Sequence, residues 1–147
     1  MLQFIYSIIT NIIAIVLAIG ICIFIWLTEP GKMQEYYEDK ANYVTATGRV
    51  THLASSDDGK TFYLGFSEEL TPEFDDTTFK IVGKNVDIAK KNKIWKYVKE
   101  GETVEFVTAP KYWGDGYCMP IVALSVNGEE ILGFEDGYDN LQEWLEE

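Results

Sequence analysis

The chain has 147 residues, with 24 acidic and 12 basic side chains and a formal net charge of −12. A chain of this length is expected to form one compact domain, since ~100–200 residues per domain is usual. The excess of carboxylates is concentrated in residues 67–76 and 129–147, which contain no Lys or Arg. Because proteins bind nucleic-acid phosphates largely through Lys and Arg, this composition argues against a nucleic-acid partner.

Residues 1–28 carry no charged side chain, and most of them are aliphatic. A transmembrane helix needs ~20 such residues, so this segment is predicted to be a single-pass anchor in the cell membrane. A cleaved signal peptide is the alternative, but the segment lacks the basic start and the small-residue cleavage site of such peptides.

Lys32 and Lys40 follow the segment and no Lys or Arg precedes it. By the positive-inside rule this favours a cytoplasmic domain, although two lysines leave the opposite side open.

Small and polar side chains line one face of this predicted helix. Helical spacing aligns Ser7, Asn11, Ala14 and Ala18. Small residues let helices approach closely, and Asn or Ser can hydrogen-bond across the contact. The face is interpreted either as an interface, for self-association or for a membrane-protein partner, or as part of a plain anchor. Residues 29–42 contain Pro, Gly and mixed charges, and they are predicted to form a short juxtamembrane connector.

From Tyr43 the apolar residues recur with a period of two, which predicts β-strands. The first three strands are predicted over residues 43–53, 60–66 and 77–89. Gly48, inside the first strand, indicates a tight bend or a close backbone approach. Asp58-Gly59 is a typical hairpin turn. The apolar parity slips across Gly83, which indicates a bulge or turn there.

A helical spacing follows, in which Ile94 and Val98 are four residues apart and Trp95 lies beside them. It predicts an amphipathic helix over residues 89–101. The remaining elements are predicted to be strands at 102–109, 119–126 and 127–132, followed by an acidic helix at 138–147. Four large aromatic side chains are expected in the core, namely Phe62, Phe79, Trp95 and Phe106.

This order of three strands, a helix and two strands resembles the OB-fold, a five-stranded Greek-key barrel. The segment "VKEGETVEF", residues 98–106, is similar to the corner between the helix and the fourth strand of such barrels. The resemblance covers about residues 43–132 and rests on element order; an SH3-like barrel and a β-sandwich fragment are the alternatives. The predicted fold class is therefore mainly β, with an OB-like barrel of five or six strands at 43–134 and an acidic helix or tail at 135–147.

Residues suited to catalysis or metal binding are scarce. The single histidine is His52, and Cys118 is the single cysteine after residue 28. A zinc site needs three or four ligands. The acidic runs do not follow the spacing of an EF-hand loop, and no phosphate-binding or dinucleotide motif occurs. No catalytic residue, metal ligand or cofactor is predicted, and the chain is not expected to be an enzyme.

Five lysines cluster on the predicted internal helix, at positions 90, 91, 93, 96 and 99. They are interpreted as a solvated helix face, as a contact for anionic lipid headgroups, or as partners of the protein's own acidic tail.

Residues 110–120 are predicted to join two strands, and their aromatic side chains are of the type enriched at binding hot spots. The candidate binding residues are Tyr112, Trp113, Asp115 and Tyr117. Asp115-Gly116 is also an ordinary hairpin turn, and the aromatic rings could instead pack over the mouth of the barrel.

The predicted function is a membrane-anchored module that recognises a protein or small ligand through a barrel face. The alternative is an accessory subunit of a larger membrane complex.

Overall fold

The computed structural model describes residues 2–74, 76–110 and 119–147, with side chains throughout these ranges except at residues 2–8 and 26–33. The chain divides into two units, Met1–Tyr36 and Tyr37–Glu147. The elements, in chain order, are α1 (Leu2–Glu38), a 3-10 turn (Lys40–Asn42), β1 (Val44–Ser55), β2 (Thr61–Phe66), β3 (Thr78–Val82), α2 (Lys84–Lys91), α3 (Ile94–Tyr97), β4 (Thr103–Thr108), β5 (Met119–Val126), β6 (Glu129–Leu132) and α4 (Phe134–Glu146).

Strand β1 is shared between two parts of one six-stranded sheet. Its first half, residues 44–49, pairs antiparallel with β4, and its second half pairs antiparallel with β2. A register shift between Val50 and His52 separates the two halves, as expected where a bulge bends a strand. Strand β3 pairs with β2 and also, in parallel, with the start of β5, while β4 pairs with β5. Strands β1 to β5 are therefore joined in a ring of hydrogen bonds, and β6 extends the sheet from the end of β5.

Three phenylalanine rings lie at the centre of the core. Phe66 and Phe106 stack at 4.7 Å between ring centroids, and Phe79 meets Phe106 edge-on at 4.9 Å. All three rings are buried, because alternate residues of β2, β3 and β4 point to the same side of the sheet. Such aromatic pairs stabilise a core by ~0.5–1.5 kcal/mol beyond the area that they bury.

Gly48 lies where β1 crosses this core. A Cβ atom there would come within 2.5 Å of Leu70 Cδ2 and 2.8 Å of Phe66 Cδ1. The close contacts at Gly48 are therefore made by side chains of the core, whereas the prediction was a tight bend or a close backbone approach.

The two tight hairpin turns use residues that tolerate positive φ. Gly59 has φ of 69° in the turn between β1 and β2, as the Asp-Gly pair predicts. Asn127 and Gly128 have φ of 52° and 83° between β5 and β6, the combination that a type I′ hairpin requires.

Helices α2 and α4 pack together through a buried amide. Asn85, which is 1% exposed, donates through Nδ2 to the Gly137 carbonyl at 2.8 Å and accepts from Asn140 Nδ2 at 2.9 Å. Gly137 also lets α4 approach β5, since a Cβ atom at this position would lie 1.8 Å from the Val122 carbonyl oxygen. Helix α4 is thus held to α2 by a satisfied polar contact and to β5 by close packing against its backbone.

The last two residues of α1, Tyr37 and Glu38, belong to the second unit, and side chains of that unit satisfy their carbonyls. The Tyr37 carbonyl accepts from Tyr43 Oη at 2.9 Å and from Gln142 Nε2 at 2.8 Å, and the Glu38 carbonyl accepts from Tyr138 Oη. The final carbonyls of a helix have no partner inside it. These bonds show why α1 can end at Glu38 with neither glycine nor proline at that point.

Two of the predicted elements in the middle of the chain are wrong. The strand predicted over residues 77–89 ends at Val82, because Gly83 (φ 59°) turns the chain and residues 84–91 form α2. The helix predicted over 89–101 is two short helices, α2 and α3. Trp95, expected in the core, is 51% exposed, whereas Phe62, Phe79 and Phe106 are buried as predicted.

The predicted fold class, localisation and membrane anchor also need correction. The chain is mixed α/β and not mainly β, because helices pack beside the sheet and α1 is a long helix, Leu2–Glu38. In the part of the chain that the structure describes, no helix is both long enough and apolar enough to span a bilayer. The prediction of a single-pass transmembrane protein of the cell membrane is therefore wrong.

A substitution at Gly137 tests how closely α4 packs against β5. Replacing Gly137 by Ala should lower the free energy of unfolding by about 2 kcal/mol, because the added methyl group overpacks the contact. In an exposed helix the same change would stabilise by about 1 kcal/mol. Urea denaturation of the two proteins measures the difference. Glu146→Ala, on the exposed side of the same helix, is the control and should change stability by less than about 0.5 kcal/mol. Equal stability of the Gly137 variant and the parent protein would contradict the close packing.

Candidate functional site

Trp95 is the most exposed large apolar side chain described in the second unit, at 51%. It lies on α3, whose neighbouring residue Ile94 is completely buried. The indole meets the Phe62 ring edge-on, with 5.3 Å between centroids. Because Phe62 belongs to the core, one edge of Trp95 is fixed by core packing while the rest faces solvent.

An open groove of about 380 Å³ lies beside this indole. Its lining residues are Thr51, His52, Leu53, Trp95, Val98, Lys99 and Glu100, and together they are named here the Trp95 surface. The bulged part of β1 contributes the first three of these residues, and the chain from α3 onward contributes the others. The surface therefore combines an aromatic wall, two aliphatic side chains and groups able to hydrogen-bond.

His52 is positioned by the glycine opposite it in the sheet. His52 pairs with Gly65 of β2, and a Cβ atom at Gly65 would lie 2.0 Å from the imidazole Cε1. The missing side chain leaves room for the ring to lie against the strand. The imidazole Nδ1 is 3.3 Å from Thr51 Oγ1.

The five clustered lysines, named here the lysine patch, lie on α2, in the turn between α2 and α3, on α3 and in the turn after α3. Lys90 Nζ donates to the Gly59 carbonyl at 2.8 Å and lies 5.9 Å from the Phe62 ring centroid. Lys96 Nζ is 3.2 Å from Tyr97 Oη. Within the described residues, the acidic tail forms its ion pairs with Lys40 and Lys84 and not with the patch. The charges of the patch are therefore not neutralised by described carboxylates.

Lys93, in the middle of the patch, has φ of 59° and ψ of 48°. This left-handed conformation is unfavourable for a residue with a Cβ atom. It separates α2 from α3, so Ile94 enters the core while Trp95 points outward. The turn in the helical segment is thus formed by a residue whose side chain is charged rather than by glycine.

A second groove, of about 630 Å³, lies near the C-terminus. Its lining residues are Asp58, Gly59, Lys60, Thr61, Gly83, Lys84, Val86, Asp87, Lys90, Trp144 and Glu147. Trp144 is 37% exposed and lies under Lys80 Nζ, 5.6 Å from the ring centroid. Several of the charged groups already have partners. Lys84 binds both carboxylate oxygens of Glu143, and hydrogen bonds from the Ser56 hydroxyl and the Lys60 N–H lower the pKa of Asp58.

The binding residues predicted from sequence are not those of the Trp95 surface. Tyr112, Trp113, Asp115 and Tyr117 lie outside the described residues. The predicted helix interface lies on α1, where Asn11, Ala14 and Ala18 are exposed and the side chain of Ser7 is outside the described set. These proposals of sequence analysis therefore remain predictions.

Among the described residues, no group of three or more His, Cys, Asp or Glu side chains is placed to hold a metal ion. No protein-family model matches the chain, and no curated protein is similar to it.

Sequence reasoning missed the Trp95 surface because it assigned Trp95 to the core. One signal was present, since Lys93 and Lys96 flank this tryptophan closely and Ile94 and Val98 already supply the apolar face of the helix. The participation of His52 and Leu53 had no sequence signal, because they are more than 40 residues away and reach the site through the bulge of β1.

The left-handed conformation of Lys93 can be tested with a matched pair of substitutions. Lys93→Gly should raise the free energy of unfolding by about 0.5–1 kcal/mol, because glycine adopts positive φ without steric cost. Lys91→Gly removes the same charge from the end of α2 and should lower stability by up to about 1 kcal/mol. Thermal and urea denaturation measure both changes. The assigned conformation would be wrong if both variants lost stability equally.

Proposed function

We propose that this chain is a protein-binding module and that the Trp95 surface is its contact site. The observation that carries the proposal is a tryptophan half exposed beside a groove, on a frame that the core holds in place. Tryptophan is among the residues most enriched at interface hot spots.

The exposed area of Trp95 is large enough to matter energetically. Aromatic side chains bury 150–250 Å², so about half of this area, on the order of 100 Å², is available to a partner. At ~25 cal/mol per Å², covering it would contribute about 2.5 kcal/mol to binding. This value reaches the ~2 kcal/mol that defines a hot spot. A contact of this size changes a dissociation constant by nearly a hundredfold.

The site is also formed in advance of binding. Phe62 fixes one edge of the indole, and the Lys90 hydrogen bond to Gly59 joins α2 to the turn between β1 and β2. Binding therefore has to order few additional groups, which reduces its entropic cost.

We also propose that residues 44–132 form an OB-like arrangement. Its support is the strand order, with β1 between β2 and β4, the parallel contact of β3 with β5, and helices between β3 and β4. OB-folds bind ligands on the face of strands 2 and 3 and on the adjoining loops. The Trp95 surface lies instead where β1 meets α3, so the proposed site follows from this chain's own side chains.

Selection from a random peptide library on the full-length protein tests the module. We expect peptides that bind with micromolar dissociation constants and that lose at least tenfold in affinity when Trp95 is replaced by Ala, because the hot spot is removed. Isothermal titration calorimetry measures the affinities. Trp144→Ala removes the other exposed tryptophan among the described residues of the second unit and is the matched control, for which affinity should stay within a factor of two.

Stability must be measured on the same variants. Trp95→Ala should retain a cooperative thermal transition, since its side chain is half exposed. The proposed function is wrong if no peptide is enriched, or if all enriched peptides bind the Trp95 variant as well as the parent protein.

A second candidate function is structural, as a subunit that assembles through α1. The described large apolar side chains of residues 9–25 are about half exposed or more, including Ile12 at 55%, Val16 at 62% and Leu17 at 61%. They occur on all sides of the helix, and a helix that is apolar on all sides is normally buried. Since residues 9–25 carry no charge, copies of the helix can meet without electrostatic repulsion. We propose a second copy of the chain as the partner for the face that contains Asn11, Ala14 and Ala18.

Substitutions on opposite sides of α1 test this assembly. Asn11→Leu combined with Ala18→Ile should reduce the assembled fraction severalfold, because both changes remove close contacts between helices. Val16→Leu lies on the opposite face and should leave the assembly unchanged. Light scattering of the full-length protein gives the molar mass, and oxidative cross-linking through Cys22 reports contact between copies. A monomeric parent protein would exclude this candidate.

A further inference from the structure

We infer that the partner segment recognised by the Trp95 surface is acidic, with an apolar residue that packs on Trp95 and carboxylates on both sides of it. This inference rests on the proposed function, because it specifies the ligand of the same site.

The charge around the site is opposite to that of the whole protein. Residues 84–100 contain six lysines and two carboxylates, in a chain whose net charge is −12. At physiological ionic strength the screening length is ~8 Å. A bound segment therefore responds mainly to the charges next to it, and the acidic side chains elsewhere contribute little. The local excess of lysines therefore favours a bound segment with negative charge.

The lysines of the patch are available for such contacts. The ion pairs of described residues involve Lys40 with Glu135 and Lys84 with Glu143. Lys90 donates to a backbone carbonyl and Lys96 contacts a tyrosine hydroxyl. An ammonium group has three N–H donors, so Lys90 and Lys96 can each also donate to a carboxylate. A segment that brings carboxylates gains charge-assisted hydrogen bonds without first breaking an ion pair.

The positions of two lysines relative to Trp95 define the arrangement. Lys99 lines the groove together with Trp95. Lys90 and Trp95 both contact the Phe62 ring, at 5.9 Å and 5.3 Å from its centroid. Lys99 thus shares the groove with the indole, and Lys90 shares its Phe62 neighbour. Two separate cationic neighbours suit a central apolar residue with a carboxylate before and after it.

Two carboxylates of the same segment would attract a basic ligand, but the lysines outnumber them. Glu100 lines the groove and Asp87 lies on α2. A basic segment would meet these two carboxylates but also the whole lysine patch, so repulsion would exceed attraction. A neutral apolar segment would gain the contact with Trp95 alone.

The composition of the peptides selected on the full-length protein is the first test. We expect Asp and Glu to be enriched on both sides of an aromatic or aliphatic residue. Each selected peptide is then compared with an analogue in which Asn and Gln replace Asp and Glu. The analogue should bind at least tenfold more weakly, and raising the salt concentration from 50 to 300 mM should weaken the acidic peptide severalfold and the analogue hardly at all.

Charge-removing variants provide the second test. Replacing Lys91, Lys93, Lys96 and Lys99 together by Gln should weaken the acidic peptide about tenfold or more, since exposed charge pairs contribute modestly and several are removed. Replacing Lys60 and Lys80 by Gln is the control, because both lie outside the patch, and affinity should change less than threefold. The thermal midpoint of each variant shows whether the fold is retained.

The outcomes separate the proposal of an acidic partner segment from the proposal of a binding module at the Trp95 surface. Neutral peptides that bind through Trp95 with no salt dependence would overturn the acidic partner and leave the binding module intact. If no peptide depends on Trp95, both proposals are wrong. Binding of phosphatidylserine vesicles through the same four lysines, without binding of acidic peptides, would also overturn the acidic protein segment.

Discussion

Strand β1 carries the architecture of the second unit, because it hydrogen-bonds to β4 along one half and to β2 along the other. This double pairing requires the strand to bend, and the register shift after Val50 supplies the bend. The core rings can then be enclosed from both sides, provided that Gly48 leaves room for Phe66 and Leu70. The parallel contact of β3 with β5 completes the ring of pairings.

The same bend connects the core to the candidate binding surface. The bulged residues of β1 include His52, which lies beside Trp95 in the groove, and β2 supplies Phe62, which contacts Trp95 from the core. The site is therefore built from segments far apart in the chain. Its aromatic component is rigid because it shares a ring contact with the core, while the lysines around it are long, exposed side chains that can adapt to a ligand.

The distribution of charge explains how an acidic protein can present a basic surface. The acidic helix α4 is held by buried contacts of Asn85 and Gly137. Its exposed carboxylates reach Lys40 and Lys84, which lie outside the lysine patch. Packing of α4 against α2 and β5 thus fixes where the negative charge can be neutralised. The lysines near Trp95 keep their charge for other contacts.

The sequence by itself determined the local elements whose signals are short-range. The period of two predicted most strands, and Asp58-Gly59 predicted a turn. Tertiary structure decided what depends on distant neighbours. Residues 84–89 are helical because Gly83 turns the chain and Asn85 finds its partners on α4. Trp95 is outside because Lys93 adopts a left-handed conformation and Ile94 takes the buried position. Apolar spacing reports that a face is buried, but it does not report which of two adjacent apolar residues the folded chain has room to enclose.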